Sequence, residues 1–191
     1  MSISQLTYNL HNLYKPISFI GIHFIYIFIN QIHPLMRPID QLLETYGESH
    51  RNATNKFIHW ICVPSIMFSL LTLLFAIPFF TERTMWANWA FVLLIGAWIY
   101  YARLSVTMLV GFLVIGGLML WGIMGLYRIA EYDAGTLALY AMIIFVVAWI
   151  GQFIGHKIEG KKPSFLQDVQ FLLIGPAWLM HFVFKKVGIS Y

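Results

Sequence analysis

Four long stretches of this chain carry no Lys, Arg, Asp or Glu: Phe57–Thr81, Thr84–Ala102, Leu104–Tyr127 and Leu137–Gly155. A helix crosses the hydrocarbon core of a bilayer with about 20 apolar residues at about 1.5 Å of rise each. Helix is the conformation open to such stretches, because a lone strand in lipid leaves its backbone groups without partners. Short polar links separate them at Glu82-Arg83, at Arg103 and from Arg128 to Gly135. Composition agrees with this reading. Charged residues make up 10% of the chain and hydrophobic ones 60%, whereas soluble domains carry about 25% charged residues. Seven Trp, ten Tyr and sixteen Phe also suit a chain with two lipid–water boundaries to anchor.

Two further segments are less sharply defined. Pro16–Met36 lacks a formal charge but contains His23, Asn30, Gln31, His33 and two prolines. Spanning, interfacial and upstream-extension readings all stay open for it, and no small-residue cleavage site marks it as a signal peptide. Val169–Phe184 amounts to roughly 24 Å of helix, and Gly175-Pro176 interrupts it. That points to a re-entrant or interfacial helix. The expected fold is therefore all-α, a polytopic integral membrane helical bundle. It has four spans, a re-entrant or interfacial C-terminal helix and an N-terminal apolar segment that the sequence leaves open. Residues 1–35 read as an extension and 36–191 as a single membrane-embedded domain.

Lys and Arg set the orientation. With the chain before Phe57 on the cytoplasmic side, Lys15, Arg37, Arg51, Lys56, Arg103, Lys157, Lys161 and Lys162 are cytoplasmic, and Arg83 and Arg128 lie outside. An even number of crossings then brings His50 and His59, near the start of the first span, to the same face as His156, at the end of the fourth. His181 returns toward that face if the last helix turns back.

Local spacing sharpens the constellation. Asn52, Asn55 and His59 are three and four apart, so they share one helical stripe, as do Gln152, His156 and Glu159. Each stripe supplies an imidazole with amides or a carboxylate beside it, as a metal site requires. Plainer readings exist for each part. Glu159 among Lys157, Lys161 and Lys162 reads as a surface ion pair. Gly151 and Gly155 form a helix-packing face, which also lets another helix come close to His156. His11, His23 and His33 have no polar partners at helical spacing, and Cys62, the single cysteine, reads as a small apolar residue.

Several chemistries lack their motifs. The chain has no GxSxG, HExxH or Gly-rich phosphate loop, no HxxxH or HxxHH boxes of membrane desaturases, and no basic face for nucleic acid.

The blocks YGESHRNATNKFIHWICVP (Tyr46–Pro64) and QFIGHKIEGKKPSFLQD (Gln152–Asp168) resemble the two signature blocks of the family once labelled "domain of unknown function 962", the Mpo-one-like 2-hydroxy fatty acid dioxygenases. IGPAWLMHF (Ile174–Phe182) looks like the final segment of bacterial members, and the resemblance runs from Met36 to Phe184. It implies α-oxidation: a 2-hydroxy fatty acid shortened by one carbon with molecular oxygen and Fe(2+). Carried over by position, it makes His50, His59 and His156 the iron ligands, with His181 a fourth candidate. Glu159 is then either a ligand or an outer group. Glu159, Asn55 and Gln152 are the catalytic candidates, and Arg51, Lys157 and Asn52 the substrate-binding ones. The implied partners are the 2-hydroxy fatty acid, oxygen and membrane lipid. The implied location is a bacterial inner membrane, or the endoplasmic reticulum in a eukaryote, with the site at the cytoplasmic face. Two other readings compete: a bis-histidine haem protein using His59 and His156, and a transporter or scaffold without catalysis. Against transport, no internal repeat is visible, and the middles of the spans hold almost no ionisable residue.

Overall fold

Four helix starts among the described residues are set by a short polar side chain, Asn52, Asn88, Ser105 or Asp133, that satisfies backbone N–H groups left over there. The computed structural model describes residues 37–160 and 172–191. Among these residues it has six helices and no strand: α1 (Pro38–Gly47), α2 (Ala53–Ala76), α3 (Trp89–Leu104), α4 (Val106–Ile129), α5 (Ala134–Glu159) and α6 (Ile174–Lys186). The Pro16–Met36 segment, His11, His23, His33 and the Lys161-Lys162 pair lie outside the described residues.

Asn52 caps α2 through its side-chain oxygen, which accepts from the N–H groups of Thr54 (2.8 Å) and Asn55 (3.3 Å). Asp133 caps α5 by accepting from Thr136 N–H at 2.7 Å. The Thr136 hydroxyl and N–H together hold the Asp133 carboxyl below the usual carboxylate range. Ser105 ends α3 and begins α4 with one extended residue, so these helices fold back as an antiparallel pair. Trp98 Nε1 donates to the Phe112 carbonyl at 3.0 Å, and the Tyr101 and Phe112 rings stack at 3.8 Å.

Among the described residues three helices, α2, α4 and α5, are long and apolar enough to cross a membrane. The stretch expected as the second span gives a helix of 16 residues, α3. Its start is delayed because Thr84–Asn88 is spent on a capped turn. Asn88 donates to the carbonyls of Thr84 (2.8 Å) and Met85 (3.0 Å), and its oxygen accepts from Phe91 N–H. Apolar side chains line the outside of the long helices. On α5, Leu139, Met142, Ile143, Val146, Val147, Ile150, Phe153 and Ile154 are exposed, an i, i+3, i+4 stripe that suits hydrocarbon and not water.

Gly175-Pro176 does not interrupt a helix, as the sequence suggested. It lies in the first turn of α6, where the missing proline N–H has no intrahelical acceptor to lose. Every residue from Ile174 to Met180 is buried, so this turn is embedded in the molecule. Tyr101 Oη donates to the Leu173 carbonyl at 2.5 Å and fixes where α6 begins.

The antiparallel pair α2–α5 positions the histidines. A Cβ at Gly151 would fall 2.5 Å from Cys62 Sγ, and one at Gly155 would strike Asn55 Oδ1. The two glycines thus let the helix backbones close up beside His156.

Candidate metal centre

The two polar stripes face each other across the α2–α5 contact. Asn55 Nδ2 donates to Glu159 Oε2 at 3.0 Å, and one turn further along the His59 and His156 ring centroids are 5.2 Å apart. His50 comes from the turn after α1. That turn is held by Ser49 N–H and His50 N–H, which donate to the carbonyls of Tyr46 (3.3 Å) and Gly47 (3.0 Å). The His50 ring stacks on Tyr46 at 4.1 Å and lies 5.2 Å from Trp178 of α6.

All three imidazoles are buried, with exposures of 3% for His50, 1% for His59 and 9% for His156. One potential ligand atom from each lies within 4.8 Å of the others. The hydrogen bonds decide what the rings present. His50 Nδ1 is 2.7 Å from the Tyr46 carbonyl, and His59 Nδ1 is 2.9 Å from the Asn55 carbonyl. A carbonyl oxygen only accepts, so each Nδ1 carries a proton and, in the neutral ring, each Nε2 a lone pair. The two Nε2 atoms nevertheless face each other at 2.9 Å. Two lone pairs at that distance repel unless a cation or a shared proton lies between them.

Two buried amide oxygens point the same way. Asn55 Oδ1 and Gln152 Oε1 have no hydrogen-bond partner among the described residues. Gln152 lines a cavity of about 50 Å³ together with His59 and His156. Gln152 thus brings an unmet acceptor to the cavity wall, in a place where one costs roughly 1–3 kcal/mol. Imidazole nitrogens with such surroundings fit a borderline transition-metal ion.

Residues 36–187 match the family described as 2-hydroxy-palmitic acid dioxygenase Mpo1-like. The chain belongs to this Mpo1-like family. It is 30% identical, over 145 residues, to the Saccharomyces cerevisiae protein named 2-hydroxy-palmitic acid dioxygenase MPO1. The alignment covers 73% of this chain and 76% of the yeast protein. No solved structure matches the chain.

In this Mpo1-like chain the residues singled out from sequence take different places. His50, His59 and His156 come together. Glu159 lies beside them but turns its carboxylate to the start of α2. It accepts from Arg51 N–H (2.7 Å), from Asn52 N–H (3.0 Å to Oε2) and from the Asn55 amide. A carboxylate at a helix N-terminus is favoured by the helix dipole, and here it ties the end of α5 to the loop that carries His50. The Asn52 side chain is used as the α2 cap. The Arg51 and Lys157 side chains are exposed beside the site. His181 is not among the converging rings: its Nδ1 bonds the Tyr191 hydroxyl, and its ring packs edge-on to Phe182.

Sequence reasoning missed two contributors, Tyr46 and Trp178. Tyr46 supplies the carbonyl that fixes the His50 tautomer and the ring it stacks on. Its position four residues before His50 was the available signal, since that is the spacing at which Asn55 serves His59.

Proposed function

We propose that this chain is a membrane dioxygenase that shortens 2-hydroxy fatty acids by one carbon, with Fe(2+) held by His50, His59 and His156. The observation that carries this reading is the convergence of the Nε2 atoms of His50 and His59, with His156 beside them, in a chain of the Mpo1-like family. The yeast relative's name supplies the substrate class. The conversion balances without an external reductant: a 2-hydroxy acid and dioxygen give the acid one carbon shorter, carbon dioxide and water. Ferrous iron at the three imidazoles would supply the one-electron chemistry that ground-state dioxygen requires.

The chain's own groups have separable tasks in this proposal. The Tyr46 and Asn55 carbonyls hold the Nδ1 protons of His50 and His59, keeping Nε2 available. Glu159 holds the His50 loop against α2. The Gln152 amide, at the cavity wall, orients the hydroxyl or carboxyl group of the substrate. Arg51 and Lys157 draw the carboxylate to the rim. We place Asn52 as a support for α2 and not as a substrate contact.

The membrane arrangement follows from the same reading. α2, α4 and α5 are full crossings, and α3, roughly 24 Å long, is a shorter fourth that a thinned bilayer accommodates. α6 is a buried re-entrant helix, and the site lies at the cytoplasmic face. Residues 36–191 are the catalytic domain and 1–35 an extension to it, a division supported by the start of the family match at residue 36. The bis-histidine haem alternative predicts a Soret band from the purified protein, and the reading proposed here predicts none. The test is a paired measurement on His59→Ala and His156→Ala. Both should lose bound iron and one-carbon shortening together. Retention of full activity by either would overturn the site.

A further inference from the structure

His59, Val63 and Met67 are four residues apart in turn, so they form one stripe along about 12 Å of α2. The stripe starts at the histidine cluster and continues as apolar wall. Val63, Met67 and Pro176 line the histidine cavity and also line a second hollow of about 130 Å³ between α2, α4 and α6. The hollows therefore lie side by side and share a wall. The second is walled further by Pro64 of α2, Ile115 and Met119 of α4, and Leu179 and Met180 of α6. No charged side chain is among its walls in the described residues. Three of them are methionines, whose flexible thioethers adapt to a chain of variable shape. Its outer edge is Trp60 and Val183, each 41% exposed, so the groove opens on the apolar outside of the bundle.

We infer that this groove holds the alkyl chain of the 2-hydroxy acid, admitted sideways from the bilayer, with the polar head at the histidines. The inference rests on the dioxygenase reading and deepens it, because it assigns chain-length selection to Ile115, Met119 and Val183. The histidine cavity has His59, Gln152 and His156 in its wall, polar groups that suit the head and not the alkyl chain. An alkyl chain left in water would lose about 0.8 kcal/mol of burial per methylene. The groove beside the cavity is apolar and opens toward hydrocarbon.

The test uses the full-length, iron-loaded protein in lipid nanodiscs. Val183→Trp narrows the mouth from an exposed position. It should lower kcat/KM for long-chain 2-hydroxy acids about tenfold more than for short-chain ones, with iron content retained. Met119→Ala should shift preference toward longer or bulkier chains. Leu118→Trp, exposed on the outside of α4 and absent from both hollows, is the control and should leave the profile unaltered. A uniform effect of Val183→Trp across chain lengths, or none, would overturn the assignment. A long-chain 2-hydroxy acid with a photoreactive chain end provides a readout independent of turnover. Labelling should fall on Ile115, Met119 or Val183 and be competed by unlabelled 2-hydroxy acid. Labelling that only excess phospholipid competes would identify an ordinary lipid-facing groove and defeat the proposal. Competed labelling in a protein that turns over no 2-hydroxy acid would defeat the dioxygenase reading and leave the groove standing.

Discussion

His50 Nε2 and His59 Nε2 face each other at 2.9 Å while the Nδ1 atom of each is held by a backbone carbonyl. The pairing is expensive without a cation or a shared proton between the rings, so bound metal should stabilise the folded protein. A ligand that binds only the folded state at about a hundredfold above its Kd contributes about 2.7 kcal/mol. Chelator-stripped protein should therefore melt lower in detergent than iron-loaded protein. His59→Ala, with the facing lone pair removed, should show little of that difference.

Glu159 acts through the loop it holds. Glu159→Gln keeps the side-chain length but offers one acceptor oxygen where the carboxylate offers two, and it brings an N–H₂ toward N–H donors. Losing support of this kind typically weakens metal binding by about 10–100-fold. Metal titration of Glu159→Gln should show that loss with the helical circular dichroism of the wild type. Wild-type affinity would remove Glu159 from the site.

Gly155 sets the separation of α2 and α5. Gly155→Ala places a methyl group against Asn55 Oδ1, and overpacking of this kind costs about 1–3 kcal/mol. A lower melting temperature and reduced iron content are expected together. Gly117→Ala in α4 is the contrast: a Cβ there meets nothing within 4 Å, and it should be neutral or stabilising by roughly 0.5–1 kcal/mol.

His181 is engaged with the Tyr191 hydroxyl. His181→Ala should keep iron content and the iron-dependent rise in melting temperature. A loss as large as that of His156→Ala would make it a ligand.

The helical stripes were the most legible part of the site. Asn52, Asn55 and His59 on one helix, and Gln152, His156 and Glu159 on another, follow from a period of 3.6, and side chains at i and i+4 must share a face. The spacing also marked Gly151 and Gly155 as a place where helices close up. What spacing does not carry is a partner's direction. Glu159 could turn toward a metal or toward the N–H groups of Arg51 and Asn52, and only the helix pairing shows the second. Absence of charge located the apolar stretches but not helix ends, because the turn built by Thr84 and Asn88 uses side-chain hydrogen bonds that hydropathy does not register. The sequence also presented Gly175-Pro176 as a break, since proline stops a helix it interrupts and is accepted in one it begins. The Trp178 wall on His50 depends on where α6 docks, which no local pattern encodes.

The central claim is that three histidines hold a metal on which the oxygenase chemistry depends. The most direct test is a reconstitution series on the purified full-length protein with a 2-hydroxy fatty acid under air. Iron should restore oxygen consumption and one-carbon shortening to stripped wild-type protein in proportion to the iron bound, saturating near one ion per chain. Equal turnover by stripped and iron-loaded protein, or by a His50→Ala/His59→Ala/His156→Ala variant, would contradict it.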